Sequence, residues 1–247
     1  MLGRLGVCGI PCLAVSAVAQ TPLVSPRLVL PERPTVATHA YAVAPAYVEL
    51  EQGVRVQQGA PTLTTWEFNL KIGLARHAQL GILGVGFAHT GGASGLGDMG
   101  AALKLRGDLG PRAAVALIPA ATLPTGDAAR GLGAGRALGA LIGVLSADGA
   151  GGMHVDVNAG TVGIGAGVPR GFATFCPSRA VGPFTFAAEL YGFSAGGDDP
   201  AQGGLLAAVS VRLAEWAALD GGAVLGLGAV SRDQLFLGLT TNLGRAF

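Results

Sequence analysis

His154, Asp156 and Asn158 stand at alternate positions, a spacing that sets three polar side chains on one face of an extended segment. A histidine-and-carboxylate metal centre would need further donors nearby. No second histidine adjoins, and Cys8, Cys12 and Cys176 form no cluster. Ser146 and Ser210 could be paired with His154 as in a serine hydrolase, but no nucleophile motif frames either one. The Gly-rich stretch from Gly91 to Gly97 lacks the Gly-Lys-Ser/Thr ending of a phosphate-binding loop. Asp127 and the Asp198–Asp199 pair fall among Gly and Pro, where solvated turn residues are expected. These residues point to no enzyme, no resident metal and no cofactor.

The polar residues make more sense as one face of many strands. In Trp66 to Leu74, the apolar Trp66, Phe68, Leu70, Ile72 and Leu74 oppose Glu67, Asn69, Lys71 and Gly73. The same alternation sets Glu49, Glu51 and Arg55 opposite Val48, Leu50, Val54 and Val56. It separates Asp98, Lys104 and Arg106 from Met99, Ala101, Leu103 and Leu105. It parts Glu189 and Tyr191 from Phe184, Phe186, Ala188 and Leu190, and a last run carries Leu235, Leu237, Leu239 and Leu243 on one face. Arg212 joins the polar set from a further strand. The candidate solute-facing residues are therefore Glu49, Glu51, Arg55, Glu67, Asn69, Lys71, Asp98, Lys104, Arg106, His154, Asp156, Asn158, Glu189, Tyr191 and Arg212. Acids and bases are mixed among them, as in a narrow lumen whose charges pair, or one whose polar constriction selects a solute.

Composition bounds the class. The chain of 247 residues is 50% hydrophobic but only 13% charged, and 42 residues are glycine. A disordered chain and a mostly helical one both fit this poorly. A formal net charge of +1 argues against a nucleic-acid partner. Residues 1–19 read as a secretory signal: Arg4, an apolar stretch from Leu5 to Val15, then Ala17-Val18-Ala19. Residues 20–42 hold Pro22, Pro26, Pro31 and Pro34 and predict a Pro-rich tether, or a plug, at the periplasmic mouth. Cys176 alone would remain in the exported chain, so a barrel closed by its own backbone bonds would supply the stability a disulfide cannot.

The longest apolar run, Ala137 to Ala147, is too short for a membrane-spanning helix, whereas a spanning strand needs only about 9–11 residues. We place twelve strands over about 43–56, 62–74, 78–88, 97–106, 113–123, 136–146, 152–164, 171–178, 183–194, 204–214, 220–229 and 233–247. Pro177 is expected to end the eighth early. The predicted fold is all-β: a transmembrane, antiparallel, up-and-down β-barrel over residues 43–247. The longer connections fall at one end, which the usual pattern of outer-membrane barrels assigns to the cell exterior. Trp66, Trp216, Tyr41 and Tyr47 are the candidates for interfacial aromatic girdles.

Leu123-Pro124-Thr125-Gly126-Asp127 with Gly131-Leu132-Gly133, and the closing run from Gly238 to Phe247, resemble the outer-membrane transporter family named for the meta-pathway of phenol degradation. The resemblance implies a barrel that takes up hydrophobic or aromatic small molecules. Separately, the terminal Phe247 resembles the closing aromatic signature of bacterial outer-membrane barrels, which the barrel insertion machinery reads, and this implies outer-membrane lipid around the strands and a bacterial outer-membrane location. Three rivals remain on the sequence: a barrel enzyme with an exposed serine or histidine nucleophile, a barrel with a closed, structural lumen, and an exported soluble β-sandwich that binds a ligand.

Overall fold

The structure, a computed structural model, describes residues 25–197 and 199–247. The expected signal segment 1–19 lies outside the described residues, as do the first residues of the Pro-rich stretch and Asp198. The fold is all-β. Its strands are β1 (Tyr47–Gln57), β2 (Leu63–Ala75), β3 (Ala78–Thr90), β4 (Ala93–Gly95), β5 (Met99–Asp108), β6 (Ala113–Leu123) and β7 (Leu138–Asp148). They continue as β8 (Met153–Ile164), β9 (Arg170–Val181), β10 (Phe184–Phe193), β11 (Gln202–Ala214), β12 (Ala217–Leu227) and β13 (Gln234–Arg245). The three-residue β4 pairs only with β3. The other twelve form a continuous antiparallel ring that closes where Gln57 of β1 meets Gln234 of β13. Closure leaves no open edge to be capped.

Side-chain alternation assigns the faces. Leu237 is 61% exposed, Leu243 58% and Leu190 54%, while the neighbouring Asn242 and Glu189 are almost fully buried. Apolar groups therefore point outward and polar groups inward. That inverts a soluble sandwich, and it is the arrangement a hydrocarbon solvent demands. Among the described residues no helix is long and apolar enough to cross a membrane.

Strand boundaries differ from the sequence reading by a few residues at most ends. β9 runs on through Pro177 to Val181, with Pro177 paired to Val155. Proline lacks one ladder donor, and the β9–β10 register skips Cys176 and Pro177, but both keep partners on β8 and the pairing with β10 resumes on either side. β1 begins at Tyr47 rather than at residue 43. β13 ends at Arg245, so Phe247 lies two residues beyond it and is exposed. Connections at one end are short (residues 76–77, 109–112, 149–152, 182–183 and 215–216), and those at the other are longer, with residues 124–137 the longest. We call these the turn end and the loop end.

Residues 25–46 run inside the ring. Val29 N–H donates to Glu215 O at the turn end (2.8 Å), and Leu30 and Glu32 then climb beside β1. The chain reverses near Arg33 to Thr35, where Thr35 Oγ1 lies 3.0 Å from Glu32 O and 2.8 Å from Ala37 O. It descends past β10, β8 and β7 and leaves the lumen where Ala46 N–H donates to Gly73 O (2.8 Å). A segment without strand pairing must satisfy its backbone some other way. Here the side chains of the barrel wall do it.

Candidate functional site: a lumen filled by residues 25–46

Glu49 and Glu51 project from β1, and Lys71 from β2, onto the inner face, because β1 and β2 pair Glu49 with Lys71 and Glu51 with Asn69. Lys71 Nζ lies 2.5 Å from Glu49 Oε1 and 2.7 Å from Glu51 Oε1, and all three side chains are buried. The remaining capacity of each carboxylate goes to the segment: Glu49 accepts from Leu30 N–H (2.9 Å) and Glu51 from Glu32 N–H (2.6 Å). Lys71 also donates to Leu30 O (2.6 Å). Burying three charges costs several kcal/mol per ion, and the cost is recovered only when each charge finds partners of this quality.

The returning limb is held the same way. Glu189 of β10 accepts from Val36 N–H and Ala37 N–H, both at 2.7 Å, and from the hydroxyl of Thr174. Asn158 of β8 accepts from Thr38 N–H and donates to Thr38 O, each at 2.8 Å. Ser146 of β7 accepts from Ala40 N–H (2.8 Å) and donates to Asp156 (2.5 Å). Gln79 of β3 accepts from Val43 N–H (2.9 Å). Lys104 of β5 pairs with Glu32 and donates to His39 O (2.7 Å). Both lysines of the chain thus serve the same segment.

Arg33 enters a gap made by two glycines. Gly53 and Gly238 face each other across the β1–β13 pair. A β-carbon on Gly53 would collide with the Arg33 guanidinium, and one on Gly238 would lie 2.5 Å from its Nε. The guanidinium sits 3.7 Å from Asp220 and 3.9 Å from Glu67. At the exit, a β-carbon on Gly73 would strike the carbonyls of Val43 and Ala44.

One sector of the wall is apolar. Ala114, Ala116 and Ile118 of β6 and Val144 of β7 point inward and pack on Ala40, with Tyr41, Ala102 and Ile142 against them. Tyr41 hydrogen-bonds Asp148 (2.9 Å) and lies under Arg106, whose guanidinium carbon is 4.9 Å from the ring centroid. Tyr41 is therefore a lumen residue and not part of an interfacial girdle. Trp66 and Trp216 do lie on the outside, near the loop end and the turn end respectively.

Of the candidate residues, Glu49, Glu51, Lys71, Lys104, Asn158 and Glu189 hydrogen-bond the segment, and Glu67 and Arg106 meet it at Arg33 and Tyr41. His154 bridges Asp148 (2.7 Å) and Asp156 (3.1 Å). Arg106 binds Asp108 and covers Tyr41. Arg55 pairs with Glu67 (2.8 Å) and reaches Gln234 (3.0 Å). With Asn69 they border a cavity of about 550 Å³ between the segment and the loop end. Arg212 borders a second cavity, of about 460 Å³, between the segment and the turn end. Tyr191 lies apart, with Phe193 and Gln202, at a smaller hollow of about 190 Å³. Asp98 precedes β5 rather than standing on it. Its carboxylate accepts from Gly126 N–H (3.0 Å) and Ala134 N–H (2.7 Å), which fixes the long loop.

Sequence reasoning missed Glu32, Arg33, Gln79, Ser146, Thr174 and Asp220. Gln79, Ser146, Thr174 and Asp220 each stand among apolar or small residues, which hides the alternation. Glu32 and Arg33 fall in the Pro-rich stretch expected to be a tether or a plug, which names no contacts for them. The inward glycines Gly53, Gly73 and Gly238, lying on the face that carries the buried charges, were the available signal.

No known protein family and no curated protein matches the sequence. Solved structures do match. An outer-membrane channel from Pseudomonas putida F1 is similar with a TM-score of 0.62 and 14% identity, over 83% of this chain and 98% of that one. The NanC porin is similar with a TM-score of 0.58 and 10% identity, over 79% of this chain and all of that one. The KdgM porin gives 0.57 and 6%, over 77% and 98%. At such identities the likeness is one of fold: this chain has the closed antiparallel barrel of porin-like outer-membrane channels.

Proposed function

We propose that the chain is an outer-membrane channel for small solutes, closed at rest by its own residues 25–46. The observation that carries the reading is the inverted barrel, with leucine and phenylalanine outside and a charged, partly hollow lumen within. Such an exterior is stable only in hydrocarbon, and such a lumen only around water or a polar occupant. The similarity in fold to outer-membrane channels supports it. The two cavities, of about 550 and 460 Å³, lie on either side of the segment and face opposite ends of the barrel. A solute admitted at one end meets the segment before it can leave at the other.

Catalysis is the weaker reading. Ser146 donates its proton to Asp156 rather than to His154, and both ring nitrogens of His154 face carboxylates. That arrangement does not form the serine–histidine pair of a hydrolase.

Conductance tests the proposal. A protease site is placed at the exposed Pro45, and the chain is assembled intact and inserted into a planar bilayer. The intact chain should conduct poorly, and cutting should raise conductance in discrete steps. A chain that stays silent after cutting and release of the segment would contradict the channel.

A further inference from the structure

We infer that the lumen is built to bind a peptide through its main chain, folded back on itself as residues 26–43 are, and that these residues occupy it as a tethered stand-in for what the channel takes. This rests on the channel reading and names a solute class for it. Seven main-chain N–H groups of the segment, from Leu30, Glu32, Val36, Ala37, Thr38, Ala40 and Val43, each donate to a wall side chain. The carbonyls of Pro26, Leu30, Thr38 and His39 accept from Asn242, Lys71, Asn158 and Lys104. Asn158 takes the N–H and the C=O of one residue together, as a neighbouring strand would.

The wall's own backbone is spent on its ladders, so these contacts need dedicated polar side chains. Glu49, Glu51, Asn158 and Glu189 are almost completely buried and directed at amides. A wall that only packed a fixed structural segment would need to fit side chains. This wall does fit side chains (Glu32 and Thr38 through Lys104, Arg33 beside Asp220 in the Gly53–Gly238 gap, Tyr41 through Asp148 and Arg106, and the buried Val29, Ala37, Ala40 and Val43), but the seven amide contacts come on top of that fit and read no side chain. Main-chain N–H and C=O groups are common to every peptide, so a site that reads them tolerates sequence. An oligosaccharide or a small aromatic solute has no such series of groups.

The test uses the chain cut at Pro45 after assembly and washed until it conducts. Three probes are added: a peptide of residues 26–43; one with Val29, Val36, Ala37 and Ala42 exchanged for other small residues; and one methylated at the amides of Leu30, Val36 and Thr38. A neutral oligosaccharide of similar length is the comparison. The first two peptides should block within about tenfold of each other. The methylated peptide, which has lost three hydrogen bonds to wall side chains, should block at least about 100-fold more weakly. Block by the methylated peptide equal to the native one would overturn the inference. So would an open channel that the oligosaccharide blocks and the peptides do not, with the channel reading left standing. A segment that stays bound through washing and never exchanges with added labelled peptide would also count against it. Silence after demonstrated release sinks the channel reading itself.

Discussion

Lys71 is the residue on which the near side of the lumen depends. It holds two buried carboxylates and a main-chain carbonyl at once. Replacing it by methionine leaves Glu49 and Glu51 buried without a cation, a loss of about 3–5 kcal/mol for a broken buried pair. Lys71→Met should lower the urea midpoint of the detergent-solubilised barrel, followed by circular dichroism. Adding Glu49→Gln and Glu51→Gln to it should recover most of that loss. No recovery in the triple variant would mean that Lys71 acts by packing rather than by charge. Gly73 tests the segment itself, because a side chain there meets the carbonyls of Val43 and Ala44. Gly73→Val should dislodge the returning limb and speed protease cleavage within residues 36–45, with the barrel intact. Gly107→Ala, where the new carbon would lie 3.4 Å from Val115, should leave the cleavage rate unchanged.

Among the elements, those that alternate cleanly were the legible ones. β1, β2, β5 and β10 place charge on one face and large apolar groups on the other, so their directions can be read residue by residue. β6 and β7 cannot be read that way. Leu117 is exposed to the outside and Ile118 faces the lumen, yet both are large and apolar. The inner face there is apolar because it packs on Ala40, a residue distant in sequence, and periodicity carries no trace of such a partner. Residues 25–46 were hard to place for a related reason. Proline content excludes a strand but does not say that Glu189 and Asn158 wait for the amides. β6 offers a direct check of its faces. Leu117→Arg puts a charge in the lipid at a cost of roughly 2–4 kcal/mol and should sharply reduce folded barrel in vesicles. Ile118→Ala should fold, with lower stability from the cavity it leaves. Equal insertion of both variants would mean that the faces of β6 are wrongly assigned.

At the level of the whole molecule, the number of long strands follows from many short alternating runs in a chain with little charge, while closure and the outward apolar face are seen only in the folded ring. Occupation of the lumen does not follow either, because it depends on where one segment lies among residues from ten strands. Cysteine accessibility settles that point most directly. With Cys8, Cys12 and Cys176 replaced, a single cysteine is placed at Ala40, which is fully buried between β6 and β7. A second chain carries it at the exposed Pro45. In intact vesicles of known orientation, a water-soluble maleimide should label position 45 quickly and position 40 hardly at all. Cutting the chain at residue 45 should then open position 40 to the reagent as conductance rises. Prompt labelling of position 40 in the intact chain, at the rate of position 45, would show that residues 25–46 do not fill the lumen.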